Sequence, residues 1–209
     1  YEFRTLDQYL KIFKPVKNEV VIGESSINYL YSQISAKELH KFNPKAKIII
    51  MLREPVDFLY SLHMQYVNDT SEHIKDFEES LKAEIERKQG KNINKRVRAP
   101  SYLFYSERAK YAEQIKRYLK VFPRKQIKII IFDDFKKDNL KVYKDILKFL
   151  EVDYSFIPEF KGVHESKQPK SKLLNVFFRN PYLKNIPKSI LTPRLYDKIQ
   201  LKVQSMLMK

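Results

Sequence analysis

An α/β fold in three layers, with a mostly parallel central sheet flanked by helices, is what this sequence predicts. Two stretches, "AKIIIMLR" (46–53) and "QIKIIIF" (126–132), are short continuous apolar runs, the pattern of strands covered on both faces. Each leads directly into a segment of helical periodicity, and strands that alternate with helices imply a parallel sheet. At 209 residues the chain is long enough for one sizeable core, and no shift in composition marks a second, so a single domain over 1–209 is expected.

The elements follow in order. Residues 5–13, "TLDQYLKIF", space Leu6, Tyr9, Leu10 and Phe13 as one helical face, and Pro15 ends it. "EVVIGESS" reads as a buried strand that stops in a tight turn at Gly23. A short helix is expected over 35–42, with Ser35 as its N-cap and Glu38 at capping-box spacing. After the strand at 46–53, Pro55 starts a helix where its missing N–H costs nothing, with an apolar stripe of Val56, Leu59, Tyr60, His63 and Val67. Longer helices are expected over 74–89 and 101–121, the second with Tyr111, Ile115, Tyr118, Leu119 and Phe122 on one face. The basic loop "KQGKNINKRVRAP" separates them. A helix over 139–150 carries Val142, Ile146, Leu147 and Leu150, residues 158–172 read as a loop, and helices over 171–179 and 193–207 close the chain.

Composition removes several kinds of chemistry. There is no Cys, which excludes disulfides and thiolate metal sites, and four scattered His argue against a zinc centre, so no metal is expected. With 14 Tyr, 14 Phe and about a third of its residues charged, the chain describes a soluble globular protein. No apolar run approaches ~20 residues and Tyr1 opens no signal-peptide pattern, so no membrane segment and a cytoplasmic location are expected. The net charge of +16 draws polyanions through a field that salt screens, although much of the excess is Lys scattered over helices as solvated surface. A basic nucleic-acid-binding protein is the rival that this charge permits. Spread-out basic residues and the lack of a nucleic-acid motif count against it, and no nucleic-acid partner is expected.

In open α/β sheets the ligand crevice lies beyond the carboxyl ends of the strands, where Gly23-Glu24-Ser25-Ser26 and Arg53 fall. Arg53 leaves a buried strand just before a helix N-terminus, and a guanidinium beside free N–H groups suits a phosphate. Ser61, two turns into that helix and off its apolar stripe, can reach the same crevice. On spacing alone an alternative stands beside this one: Arg53 pairs with a surface carboxylate and Ser61 is simply a small helix residue. Glu24 and Ser26 are placed at the crevice as donor-site or acceptor-site residues, and His63 is expected to pack. Asp133 and Asp134, after "IKIIIF", keep open a Mg²⁺-dependent P-loop-like kinase.

"KIIIMLREPVDFLYS" resembles the segment of the PAPS-dependent sulfotransferase family in which a strand-terminal Arg and a Ser eight residues later hold the 3′-phosphate of the donor, 3′-phosphoadenosine 5′-phosphosulfate (PAPS). Arg53, Pro55 and Ser61 match that pattern, while Phe58 stands where many members of the heparan-sulfate and bacterial branches carry a second Arg. "GESSINYL" is similar to the family's G-E-K-S-x-x-Y-L element, with Ser25 in place of the usual Lys. "SERAKYAEQIKRYLKVFPRKQIKIIIFDDFKKD" resembles its late helix, "FP-x-x-Q" turn and acidic strand end, and "ILKFLEVD" its F-L-G-V tail, with Glu151 in place of Gly. "HESKQPKSKLLN" resembles the loop that closes over the nucleotide.

The resemblance covers nearly the whole chain and implies a P-loop-kinase-like sulfotransferase fold. It implies transfer of a sulfuryl group from PAPS to a hydroxyl or amine of a small-molecule, glycan or lipid acceptor, with no metal required. It assigns Arg53, Ser61, Lys170 and Lys172 to the donor, and for an animal relative it implies the Golgi lumen. The family's phosphate-cradling loop, its Lys and its general base have no counterpart here and are expected to precede Tyr1, so the domain is expected to be N-terminally incomplete and Glu2 is not expected to be the base. Tyr111 resembles an aromatic near the nucleotide, but its periodicity favours the core.

Overall fold

A computed structural model describes residues 5–160. In chain order they form α1 (Leu6–Leu10) continued by a 3-10 turn (Lys11–Phe13), α2 (Ser35–Phe42), β1 (Ile48–Leu52), α3 (Pro55–Asn68), α4 (Phe77–Lys82) and α5 (Glu84–Lys88). A 3-10 turn (Pro100–Leu103) then precedes α6 (Tyr105–Arg108) and α7 (Tyr111–Leu119). A third 3-10 turn (Arg124–Gln126) leads into β2 (Ile127–Ile131), α8 (Phe132–Lys137) and α9 (Asn139–Leu150). The described residues divide into two compact units, one made of 5–53 and 111–160, the other of 54–110.

In the first unit β1 and β2 pair in parallel, with Ile48 opposite Ile127 and Leu52 opposite Ile131. The architecture is therefore α/β, as the two apolar runs predict. Ile50, Ile127, Ala36, Tyr118 and Phe122 form the buried core, and Tyr118 stacks on Phe122 with ring centroids 6.4 Å apart. Gln126 donates to the carbonyls of Pro44 and Ala46, both at 2.9 Å, which ties the start of β2 to the chain entering β1. Arg117 donates to the carbonyls of Leu30 and Tyr31, and the Tyr118 hydroxyl to that of Tyr29, so α7 carries the irregular segment before α2. Among the described residues β1 is covered on one face only. Ile49 and Met51 are 41% and 46% exposed, because the pleat turns alternate side chains away from the core that buries Ile50.

The second unit packs Leu59, Tyr66, Leu103 and Tyr105 together, with Phe58, Leu62, Phe77 and Leu81 against them. Under the turn after α3, Arg87 and Glu72 form an ion pair 2.9 Å long with both side chains out of solvent. Glu72 also accepts from the Tyr105 hydroxyl and from the amides of His73 and Ile74. Arg87 donates in addition to the carbonyls of Ser80 and Asn92. One carboxylate and one guanidinium thus join the turn after α3 to α4, α5 and α6.

Several expected elements change. "EVVI" is not a strand: Val20 is 87% exposed and no described strand lies beside this run, and hydrophobicity reports burial whereas a strand needs a ladder partner. The helix expected over 74–89 begins at Phe77, where the Asp76 carboxylate accepts from the Glu79 amide, and breaks at Ala83. The helix expected over 101–121 is three pieces. Its apolar positions serve two cores, Leu103 and Tyr105 in the second unit and Tyr118 and Phe122 in the first, while Leu119 is exposed. The N-cap of α2 is Ile34 rather than Ser35, and the Ser32 hydroxyl just before it accepts from the amides of Ile34 and Ser35. The buried face of α3 is Leu59, His63 and Tyr66, and the expected stripe residues Val56 and Tyr60 are exposed. The helices expected over 171–179 and 193–207 lie outside the described residues.

Candidate functional site

Arg53 follows β1 and belongs to the first unit. The last register pair of the sheet is Leu52 with Ile131, so Arg53 and Phe132 are the next residues beyond the carboxyl ends of the two strands. The Arg53 guanidinium carbon lies 5.7 Å from the centre of the Phe132 ring, within cation–π range. Lys136, one turn along α8, places its ammonium 5.2 Å from the same ring and 2.7 Å from Asp133. Phe132 stacks on Phe135 at 6.4 Å. An aromatic ring with two cations against it therefore marks the ends of both strands.

The helix start that the sequence placed after Arg53 is present, with Pro55 at the first turn of α3. Its cap was missed. The Glu54 carboxylate accepts from the Asp57 amide at 2.8 Å, so one of the amides that a helix N-terminus leaves for an anion is taken by the chain's own carboxylate. Ser61 belongs to the second unit and stands exposed on α3, off the buried face, as its spacing predicts. Phe58, where the family resemblance led one to look for Arg, packs against the second unit's core. His63 packs too: its Nε2 lies 3.0 Å from the Ile74 carbonyl and its ring meets Phe77 and Tyr105.

Glu24 lies in the first unit, in the irregular segment before α2. Neither of the roles usual for a turn carboxylate, capping a helix or pairing with Lys, is the one it takes. Its Oε1 accepts from two phenols, the Tyr29 hydroxyl at 2.5 Å and the Tyr9 hydroxyl at 3.2 Å. Burial first, and then the Glu24 charge, push the Tyr9 hydroxyl up to about 12. Burial and the hydrogen bond to Glu24 raise Tyr29 as well, so both remain donors across the neutral range. Ser26 is exposed at the start of the following turn, and its carbonyl accepts from the Tyr29 amide. Lys170 and Lys172 lie outside the described residues.

Asp133 and Asp134 occupy the first turn of α8, and Asp133 pairs with Lys136. Among the described residues no group of three or more His, Asp or Glu side chains is arranged to hold a metal ion. No described helix is long and apolar enough to cross a membrane. Sequence reasoning singled out Arg53 and Glu24 but not the side chains that hold them, Phe132, Tyr9 and Tyr29. The signal for Phe132 was present, since the two strand signatures end on Arg53 and on Phe132, but it needed the register of the pair to be read.

Comparison with known proteins places the chain in a family. A family model described as a sulfotransferase domain matches residues 6–179. The human bifunctional heparan sulfate N-deacetylase/N-sulfotransferase 3 is 31% identical over 155 residues, which covers 71% of this chain and 17% of that protein. Mouse carbohydrate sulfotransferase 15 is 23% identical over 160 residues, 65% of this chain and 28% of that one. This chain thus spans well under a third of the length of these relatives. The crystal structure of a sulfotransferase from Alicyclobacillus acidocaldarius superimposes with a TM-score of 0.68 at 37% identity, covering 78% of this chain and 63% of that one. With a match over most of its length and a shared α/β architecture, this chain belongs to the sulfotransferase domain family.

Proposed function

We propose that this protein transfers a sulfuryl group from PAPS to a hydroxyl or amine of an acceptor, a glycan or lipid, with Arg53 and Ser61 holding the donor's 3′-phosphate. The observation that carries this reading is the position of Arg53. It sits at the carboxyl end of a parallel strand, where ligands of α/β sheets bind, inside the stretch matched to the family. A planar guanidinium fork grips a phosphate in two parallel hydrogen bonds, which supplies orientation as well as charge. The family resemblance assigns Lys170 and Lys172 to the donor as well. Glu24 and Ser26 line the donor or acceptor side, Glu24 as a carboxylate whose orientation two tyrosine hydroxyls fix.

Sulfuryl transfer needs attacking and leaving oxygens in line and positive groups around the moving charge, which cations and backbone amides supply without a metal. The residues assigned here bind and orient the donor. Calorimetric titration with adenosine 3′,5′-bisphosphate tests the reading. Arg53→Ala should weaken binding about 10- to 100-fold, the worth of a charge-assisted hydrogen bond, and Arg53→Lys should recover only part of it. Equal affinity of wild type and Arg53→Ala, or tighter binding of ATP than of the bisphosphate, would overturn it.

A further inference from the structure

We infer that Phe132 is a positioning residue for the donor site, its ring fixing the Arg53 guanidinium in the orientation that meets the 3′-phosphate. The inference rests on the reading of Arg53 just given and adds a residue to it. Leu52 and Ile131 are partners in the parallel ladder, so the backbone itself sets the next two residues side by side at the strand ends. The guanidinium carbon stands 5.7 Å from the ring centre. The ring is itself braced, stacked on Phe135 at 6.4 Å with Lys136 5.2 Å from its centre. A guanidinium stacked on a ring engages it through its own face, whereas an anion is gripped by the N–H groups at its edge. Both contacts can therefore be made by one side chain at once. Holding a long, rotamer-rich side chain in place before the ligand arrives removes an ordering cost from binding.

Titrations with adenosine 3′,5′-bisphosphate and with adenosine 5′-monophosphate, which lacks the 3′-phosphate, separate positioning from general damage. Phe132→Leu should weaken the bisphosphate about five-fold, in the range of a partly desolvated cation–π contact, and leave the monophosphate unchanged. Phe132→Tyr, which keeps the ring, should bind both nucleotides as wild type does. In the Arg53→Ala background, Phe132→Leu should cost nothing further. Equal losses for both nucleotides, additive losses in the double variant, or no loss for Phe132→Leu would overturn the role of Phe132 and leave that of Arg53 standing. Undiminished bisphosphate binding by Arg53→Ala alone would remove the donor-site reading and this inference with it.

Discussion

Arg87 and Glu72 illustrate what a single residue can decide. Each is almost wholly out of solvent, and together they satisfy the hydroxyl of Tyr105, two amides and two carbonyls. A buried pair of this kind is dangerous to break, because the survivor is a desolvated charge without its partner. Arg87→Leu should cost about 3–5 kcal/mol, measured as a shift in the urea midpoint, and adding Glu72→Gln should return part of that loss. A loss below about 1 kcal/mol for Arg87→Leu would show that water reaches the pair. None of this was legible in the sequence, where Arg87 is one of many basic residues on a polar stretch. Arg53 was legible, since a guanidinium that ends an apolar run has a position by virtue of the strand itself.

At the scale of elements, the end of α9 shows a local rule broken and offset. Glu151 takes the left-handed conformation at the C-cap, φ 62°, where the family's F-L-G-V tail has Gly. A side chain pays a steric cost there that Gly does not. Lys47 offsets some of it, donating to the Phe149 carbonyl at 2.7 Å and pairing with Glu151 at 3.0 Å. Because Glu151 is largely exposed, that ion pair is worth little. Glu151→Gly should raise stability by about 0.5–1 kcal/mol in chemical denaturation, and a clear decrease would show that the Lys47 pair outweighs the strain. The boundaries of α9 and the start of α3 at Pro55 followed from sequence, because an apolar period and a proline at the first turn are local signals. The boundaries within 101–121 did not, since one run of apolar residues there feeds two cores.

At the scale of the whole molecule, five tyrosines stay protonated into the alkaline range. Burial, in each case the leading cause, raises Tyr9, Tyr29, Tyr66, Tyr105 and Tyr118 above the ordinary value, Tyr9 and Tyr118 to about 12. The unfolded chain gives up these protons near pH ~10 while the native protein retains them, so the unfolded state then binds fewer protons and stability falls as pH rises. The contribution is complete below pH ~10 and is lost progressively between about pH 10 and 12. Guanidinium midpoints measured from pH ~8 to ~11 should decline above ~10, and Tyr118→Phe should flatten the decline. A flat profile would mean that these phenols ionise equally in both states.

Sequence by itself determined the α/β class, the family and the place of Arg53, because alternating apolar strands and helices and a short ordered motif are properties of the chain read along its length. Tertiary structure alone decided which apolar runs become strands, which carboxylates are buried in pairs, and which aromatic ring stands under Arg53. Those are contacts between residues distant in the chain, and the one between Arg53 and Phe132 exists only once the ladder between Ile48–Leu52 and Ile127–Ile131 sets its register.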